Sequence, residues 1–397
     1  MRILIVGHFD TRESAAASLR VHGTAQALIS AGHEVGILDV RHGAAADGEG
    51  WVIEAAHGEA PLSGISFDEY ASGLMSRFPR GIRGLFIGDV TADHIRQRRP
   101  SPDIVIVYGT HLGYLRRMRK LCRELGIPLV LDVVEWYSAE DLPGGRLGPY
   151  ALSNMLSMRG ESLAADGYFV ISERLARHYR RSRKPVLIVP PLFAEPVANP
   201  TKWSAEDGRL HLVYAGSPGN KEALDTLLGG LTVAARQGAA ITLHIVGMTE
   251  TELRTIPGGV GWLDSPGSAF TICYGRIPNG RAKEIVARSD YSLLLRPLRR
   301  SNQFGFPSKL AESMMLGTPV IANLFSDLSI FLRDGENALL LPELSEEAFG
   351  SALMRAARTA PDSRNMMQTN AQALARTHFS PQSHARSMND MLEELRG

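Results

Sequence analysis

Cysteine is nearly missing from this chain. Cys122 and Cys273 are the 2 in 397 residues, far apart and in no CxxC or Cys/His spacing. A disulfide framework and a zinc cluster are therefore excluded, and both thiols are expected to be buried and reduced in a cytosolic protein. Long apolar runs are also missing, since none approaches the roughly 20 residues that span a bilayer. The opening MRILIVGHF is soon followed by Asp10, Arg12 and Glu13 and reads as a strand, not as a signal peptide. An excess of one charge is lacking too: the net charge is +1, so no global field points to nucleic acid and none is expected as a partner. The first loop has no GxGxxG, which weighs against a nicotinamide enzyme. No aspartate pair looks like a metal clamp, and no metal is expected. No Ser/His/Asp or Cys/His arrangement offers an enzymic nucleophile.

What is present is ordinary globular material, 44% hydrophobic and 21% charged, in a chain longer than one core usually serves. Short apolar runs alternate with stretches of helical periodicity. In the first half, strands are expected at residues 3–6, 34–38, 104–107, 128–134 and 168–171. Helices are expected at 15–31, 113–125 and about 150–165. The second half repeats the pattern, with strands at 210–214, 241–246, 270–273, 291–295, 319–323 and 338–341. Its helices are expected at 221–237, 279–289, 309–316 and 326–332. Continuous apolar strands between helices imply parallel sheets covered on both faces. The proline-rich stretch between the halves is the best linker. The reading is an α/β protein of two Rossmann-like doubly wound domains facing across a cleft. Its domains are 1–190, a linker at 191–203, a second domain at 204–375, and a helical tail at 376–397 that packs on either one.

Three segments after strands of the second half carry chemistry. In Gly305-Phe306-Pro307-Ser308-Lys309 a helix opens near Pro307 or Ser308. Its free NH groups, its positive dipole end and Lys309 suit a diphosphate. Glu312 lies one turn on, where a carboxylate can accept two vicinal ribose hydroxyls; if it is buried it needs a partner. In Gly216-Ser217-Pro218-Gly219-Asn220-Lys221 the glycines let the backbone approach a ligand and Lys221 can reach a phosphate. Backbone groups of Gly275, Arg276 and Ile277 can pair with the edge of a base, and Arg296 ends another strand on the same rim, suited to phosphate oxygens. Each segment also has a plain reading as an amphipathic helix, a tight connection or a turn.

These segments resemble the retaining glycosyltransferases of family four, which have the glycosyltransferase B fold. The resemblance runs through most of the chain. It is strongest from Arg296 through Gly317-Thr318-Pro319-Val320 to Asp334-Gly335-Glu336-Asn337, and it includes Asp132-Val133-Val134-Glu135-Trp136-Tyr137 and the opening strand. The family commonly carries two glutamates separated by seven residues. The second matches Glu312, which implies ribose binding, but the first position holds Phe304, so the usual contact to the transferred sugar is not implied. An arginine and a lysine usually follow the first strand of the C-terminal domain. The lysine matches Lys221, the arginine position holds Ser217, and Arg296 is expected to supply the missing charge.

The resemblance implies transfer of a sugar with retention and without a metal, from a nucleotide diphosphate donor held by the C-terminal domain. UDP is the first expectation for that donor, with GDP and ADP as alternatives, and no bound cofactor is expected. Lys221, Glu312, Glu135 and Arg296 are the candidate catalytic residues. Glu135 stands where many relatives have a histidine; it orients a donor or acceptor hydroxyl, or caps the following segment. The acceptor is expected on the N-terminal domain, at residues 9–19 and 135–146, where His8, His22, His111, Arg12 and Arg20 are candidates to face it. The basic run from Arg77 to Arg123 reads as a solvated helix face or as peripheral contact with a membrane or an anionic acceptor. The expected location is the cytoplasm. A sugar-nucleotide epimerase, a glycan phosphorylase and a non-catalytic sugar-nucleotide binding protein remain the alternatives.

Overall fold

The computed structural model describes residues 1–11, 16–41, 43–45, 48–54, 59–69, 87–196, 199–216, 219 and 221–397. Ser217, Arg12, Arg77, Arg80 and Arg83 lie outside the described residues. The chain forms two compact units. One holds Met1–Ala194, Phe304–Phe306 and Ser380–Gly397; the other holds Glu195–Gln303 and Pro307–Phe379.

Among its described residues, the first unit is built on eight strands: β1 (Arg2–Gly7), β2 (Glu34–Val40), β3 (Glu49–Ile53), β4 (Leu62–Phe67), β5 (Ile104–Tyr108), β6 (Leu129–Val133), β7 (Gly167–Val170) and β8 (Val186–Ile188), in the order β3-β4-β2-β1-β5-β6-β7-β8. The runs in β1 and β5 are apolar throughout because helices cover both faces, and Ile3, Ile5, Ile104 and Ile106 sit in one buried cluster. The helix Ala16–Ser30 buries Val21, Ala25 and Leu28 on that cluster and ends before Gly32, which takes the left-handed conformation at φ 85°. Gly23 of this helix lies so close to Leu192 that a Cβ would overlap the Leu192 carbonyl. The last helix, Pro381–Arg396, adds Met388, Met391 and Leu392 to the same core.

The sheet is not wholly parallel. β3 runs antiparallel to β4, because the connection between them is too short for a helical crossover. In the second unit the strands are β9 (Leu210–Ala215), β10 (Ile241–Val246), β11 (Thr271–Gly275), β12 (Tyr291–Leu294), β13 (Val320–Asn323) and β14 (Ala338–Leu341), all parallel, in the order β11-β10-β9-β12-β13-β14. Numbered within the unit, that is the Rossmann order 3-2-1-4-5-6. The helix Leu224–Arg236 starts later than the expected 221, because Ala223 N–H is tied to the Leu295 carbonyl at 2.9 Å and the chain reaches helical geometry only after it. Cys122 is buried, but Cys273 is only half-buried, since it lies on the edge strand β11. Among the described residues, no helix is long and apolar enough to cross a membrane.

Candidate functional site

In a doubly wound sheet the ligand crevice lies outside the carboxyl ends of the strands, where the strand order reverses. In the second unit that point falls between β9 and β12; Gly216 follows β9 directly and Arg296 is the second residue after β12. There Glu222 Oε1 accepts hydrogen bonds from Arg296 Nη2 at 2.8 Å and from Lys309 Nζ at 3.0 Å. The three side chains are 6%, 12% and 23% exposed, in the order Glu222, Arg296, Lys309. Burial opposes the charge on Glu222, but Lys309 and Arg296 outweigh it and hold the carboxyl below its ordinary range. Burial also lowers the Lys309 ammonium; Glu222 works to restore it and Arg296 works against it.

The scaffold around these charges is specific. Asn323 at the end of β13 clamps Arg296 on both sides, its Oδ1 accepting from Arg296 N at 2.9 Å and its Nδ2 donating to Arg296 O at 2.8 Å. Asn302 Nδ2 donates to the carbonyls of Lys221 and Pro297, 2.9 Å each, so the loop after β9 is tied to the loop after β12. The Lys309 ammonium lies 4.6 Å from the centre of the Tyr214 ring, a cation–π distance. At Gly216 there is no room for a side chain, since a Cβ would overlap the Lys309 ammonium. Gly216→Ala is therefore expected to displace the Lys309 ammonium and weaken anion binding. Unchanged affinity in a calorimetric titration would count against that placement.

Buried polar atoms without partners gather here. They are Tyr214 OH, Glu222 Oε2, Arg296 Nε, Asn302 Oδ1 and Glu312 Oε1. Buried polar atoms are normally satisfied, so these five make the place a candidate ligand site. Glu312 follows Lys309 by one turn in the helix Ser308–Met315, and burial holds its carboxyl above the ordinary range, with Lys283 pulling it part of the way back.

Several sequence expectations need correction. The helix starts at Ser308, within the expected range, with Pro307 as its cap residue and no side-chain cap bond. Both backbone groups of Gly275 are used, its N–H on Met248 O at 3.1 Å and its carbonyl by Gly247 N–H at 2.7 Å, because Gly275 is the last residue of β11 and still pairs with the chain leaving β10, past a register shift. That leaves the backbone of Arg276 and Ile277 for a base edge. The Arg276 side chain is exposed and pairs with Glu252 at 2.9 Å rather than joining Arg296 and Lys309. Lys221 lies in the turn ahead of its helix and is half-buried. Glu222 was not singled out from the sequence; the one local signal was an acid next to a lysine in a strand-to-helix loop.

Residues 209–359 match the family of glycosyl transferases group 1. That region contains the whole cationic cluster, from Gly216 to Glu312, and the match supports a transferase. The full chain has the fold of the glycosyltransferase B enzymes. The sucrose-phosphate synthase (tll1590) of Thermosynechococcus elongatus is 15% identical, with a TM-score of 0.71 over 99% of this chain and 98% of that one. The catalytic domain of starch synthase IV from Arabidopsis thaliana, bound to ADP and acarbose, is 12% identical, with a TM-score of 0.70 over 99% of each chain. Anabaena Alr3699/HepE, in complex with UDP and glucose, is 12% identical, with a TM-score of 0.66 over 99% of this chain and 100% of that one. No curated protein matches the sequence.

Where the family-four pattern puts its first glutamate, Phe304 packs its ring 5.1 Å from that of Trp136, and its carbonyl accepts from Ser172 Oγ at 2.5 Å. Gly305 and Phe306 beside it are buried in the same unit. An aromatic ring in this position cannot accept a sugar hydroxyl as a carboxylate would.

The first unit has its own reversal point, between β1 and β5. His8 and His111, just beyond those strands, stack with ring centres 6.3 Å apart. Burial and the neighbouring His8 push His111 down to about 4, so its ring is neutral near pH 7. Its Nδ1 caps the helix Leu112–Leu125, accepting from Tyr114 N–H at 3.4 Å. Glu135 follows the next strand, β6, and its charge and hydrogen bond help raise the Tyr137 phenol, whose main cause is burial. His22 is half-buried on the helix Ala16–Ser30.

Arg20 does not face an acceptor. It is buried, makes a two-pronged pair with Asp132 and donates to the carbonyls of Val189 and Pro190. In the described part of the basic run, Arg96 pairs with Asp93 and Glu124, Arg117 with Asp89, and Arg119 with Glu161. Among the described residues, no group of three or more His, Cys, Asp or Glu is placed to hold a metal ion.

Proposed function

We propose that this chain is a retaining, metal-independent glycosyltransferase that moves a sugar from a nucleotide diphosphate, a UDP-sugar first, to a hydroxyl acceptor. The observation that carries the reading is the group of Arg296, Lys309 and buried orphan polar atoms at the reversal point of the second sheet, inside the region that matches group 1 glycosyl transferases. Transfer needs stabilisation of an oxocarbenium-like sugar and of the departing diphosphate. Fixed cations in a poorly solvated pocket supply the second of these. In this reading Arg296, Lys309 and Lys221 meet the phosphates, with Pro307 and Ser308 opening the helix toward them. Glu312 Oε1 receives ribose hydroxyls, and the loop at Arg276–Ile277 borders the base. Retention, and a leaving phosphate that helps deprotonate the acceptor, come from the family resemblance. UDP and ADP are the nucleotides held by two proteins of the same fold. Glu135, His8 and His111 form the face offered to the acceptor. The two free thiols are consistent with work in the cytoplasm.

Calorimetric titration with UDP, GDP and ADP, without added metal, tests this. One nucleotide is expected to bind tightly to the wild type and to be lost in both Lys221→Ala and Glu312→Ala. Failure of a folded wild-type protein to bind any of the three would overturn the donor assignment. Tight binding of a donor that is neither hydrolysed nor transferred would favour a non-catalytic binding protein, as Phe304 in place of a carboxylate allows.

A further inference from the structure

Two of the buried arginine–carboxylate pairs among the described residues differ in geometry. In the first unit Arg20 gives Nε to Asp132 Oδ2 at 3.1 Å and Nη2 to Oδ1 at 2.8 Å, which is the two-pronged geometry that makes such pairs strong. In the second unit Arg296 reaches Glu222 through Nη2 alone. Arg296 Nε and Glu222 Oε2 are both buried and both unpartnered, and Glu222 Oε1 is shared with Lys309. A two-pronged pair like that of Arg20 would use those two atoms on each other. Here the fork is left open, beside Gly216, at the carboxyl end of β9.

We propose that the Glu222 carboxylate is a resident counter-anion for Arg296 and Lys309, which the diphosphate of a nucleotide donor must displace in order to bind. This deepens the donor reading above and rests on it. The charged and titratable groups acting on Glu222 are Lys309, Arg296 and, through its ring hydroxyl, Tyr214. The two cations carry two positive charges, and Glu222 cancels one of them while the site is empty. A diphosphate entering the same cations meets that carboxylate as a like charge, which raises the energy of the complex unless Glu222 gives way. The carboxylate thus weakens retention of nucleotide and keeps two poorly solvated cations from facing each other uncompensated.

The test is a calorimetric titration of wild type, Glu222→Gln and Glu222→Asp with UDP, GDP, ADP and inorganic pyrophosphate at constant ionic strength. Glu222→Gln keeps the shape and removes the charge, and is expected to bind the preferred nucleotide, and pyrophosphate, at least about tenfold tighter than wild type. Glu222→Asp keeps the charge and is expected to stay near wild type. Binding by Glu222→Gln that is equal to wild type or weaker would overturn the proposal and make Glu222 a strut that positions the cations. Glu222→Ala, checked by circular dichroism, serves as the charge-free variant if the glutamine protein does not fold. If wild type binds none of the four probes, the donor reading itself fails and this inference goes with it. If wild type binds and the charge-free variants bind no tighter, only the inference fails.

Discussion

Lys309→Ala is expected to lower the rate of nucleotide release from the donor by about a hundred- to a thousandfold, the usual loss when one fixed donor to a developing anion is removed. The expectation rests on position. Lys309 stands in the first turn of the helix Ser308–Met315, its ammonium beside Gly216 and 3.0 Å from the carboxylate of Glu222. An ammonium there is partly desolvated, so its field acts on a phosphate with less screening by water than at the open surface. The loss should appear mainly in the maximal rate if the contact tightens as the diphosphate departs, and in donor affinity if it is equally strong in the ground state. A pH dependence follows. Burial lowers the proton affinity of Lys309, so its charge is lost at a lower pH than that of an exposed lysine. Activity is then expected to fall on the alkaline side as pH rises through that depressed value, and the fall should be absent in Lys309→Arg, whose guanidinium stays charged. A rate within a few-fold of wild type in Lys309→Ala would move the leaving-group site elsewhere.

The parts of the fold that were legible in the sequence share one property: their signals are local. β1 and β5 carry continuous apolar runs because both of their faces are covered, and β9 and β10 are mostly apolar; a short run of this kind between helical stretches is enough to place a buried parallel strand. β3 and β4 were missed for the opposite reason. Gly50 and Gly64 interrupt them, and β3 is an edge strand whose pairing is antiparallel, so neither carries the apolar continuity of its neighbours. The site divides along the same line. Lys309, Glu312 and Gly216 sit in motifs readable over ten residues. Glu222 has no such motif, because its partners lie 74 and 87 residues further along the chain. Its importance comes from the strand order, which brings the ends of β9 and β12 side by side. Arg20 shows the reverse error: an arginine near the first strand–helix loop looked available to an acceptor, and only the position of β6 shows that Asp132 takes it.

That buried arginine gives the largest expected effect on stability. Arg20→Met is expected to destabilise the first unit by about 3–5 kcal/mol, the usual result of removing one member of a buried ion pair. The guanidinium is 3% exposed and its four hydrogen bonds go to both oxygens of Asp132 and to the carbonyls of Val189 and Pro190. Methionine fills much of the volume but leaves a buried carboxylate at the end of β6 and two carbonyls after β8 without donors. The pair also ties the helix Ala16–Ser30 to the segment that leaves the unit at Ala194, so the damage is not confined to one element. Denaturant unfolding followed by circular dichroism reads the loss. The double replacement Arg20→Met with Asp132→Leu is expected to recover a large part of it, because no unpaired charge then remains in the core. If Arg20 instead met an acceptor, Arg20→Met would abolish transfer while leaving the unfolding midpoint unchanged. The two outcomes separate a residue that holds the first unit together from one that touches a substrate.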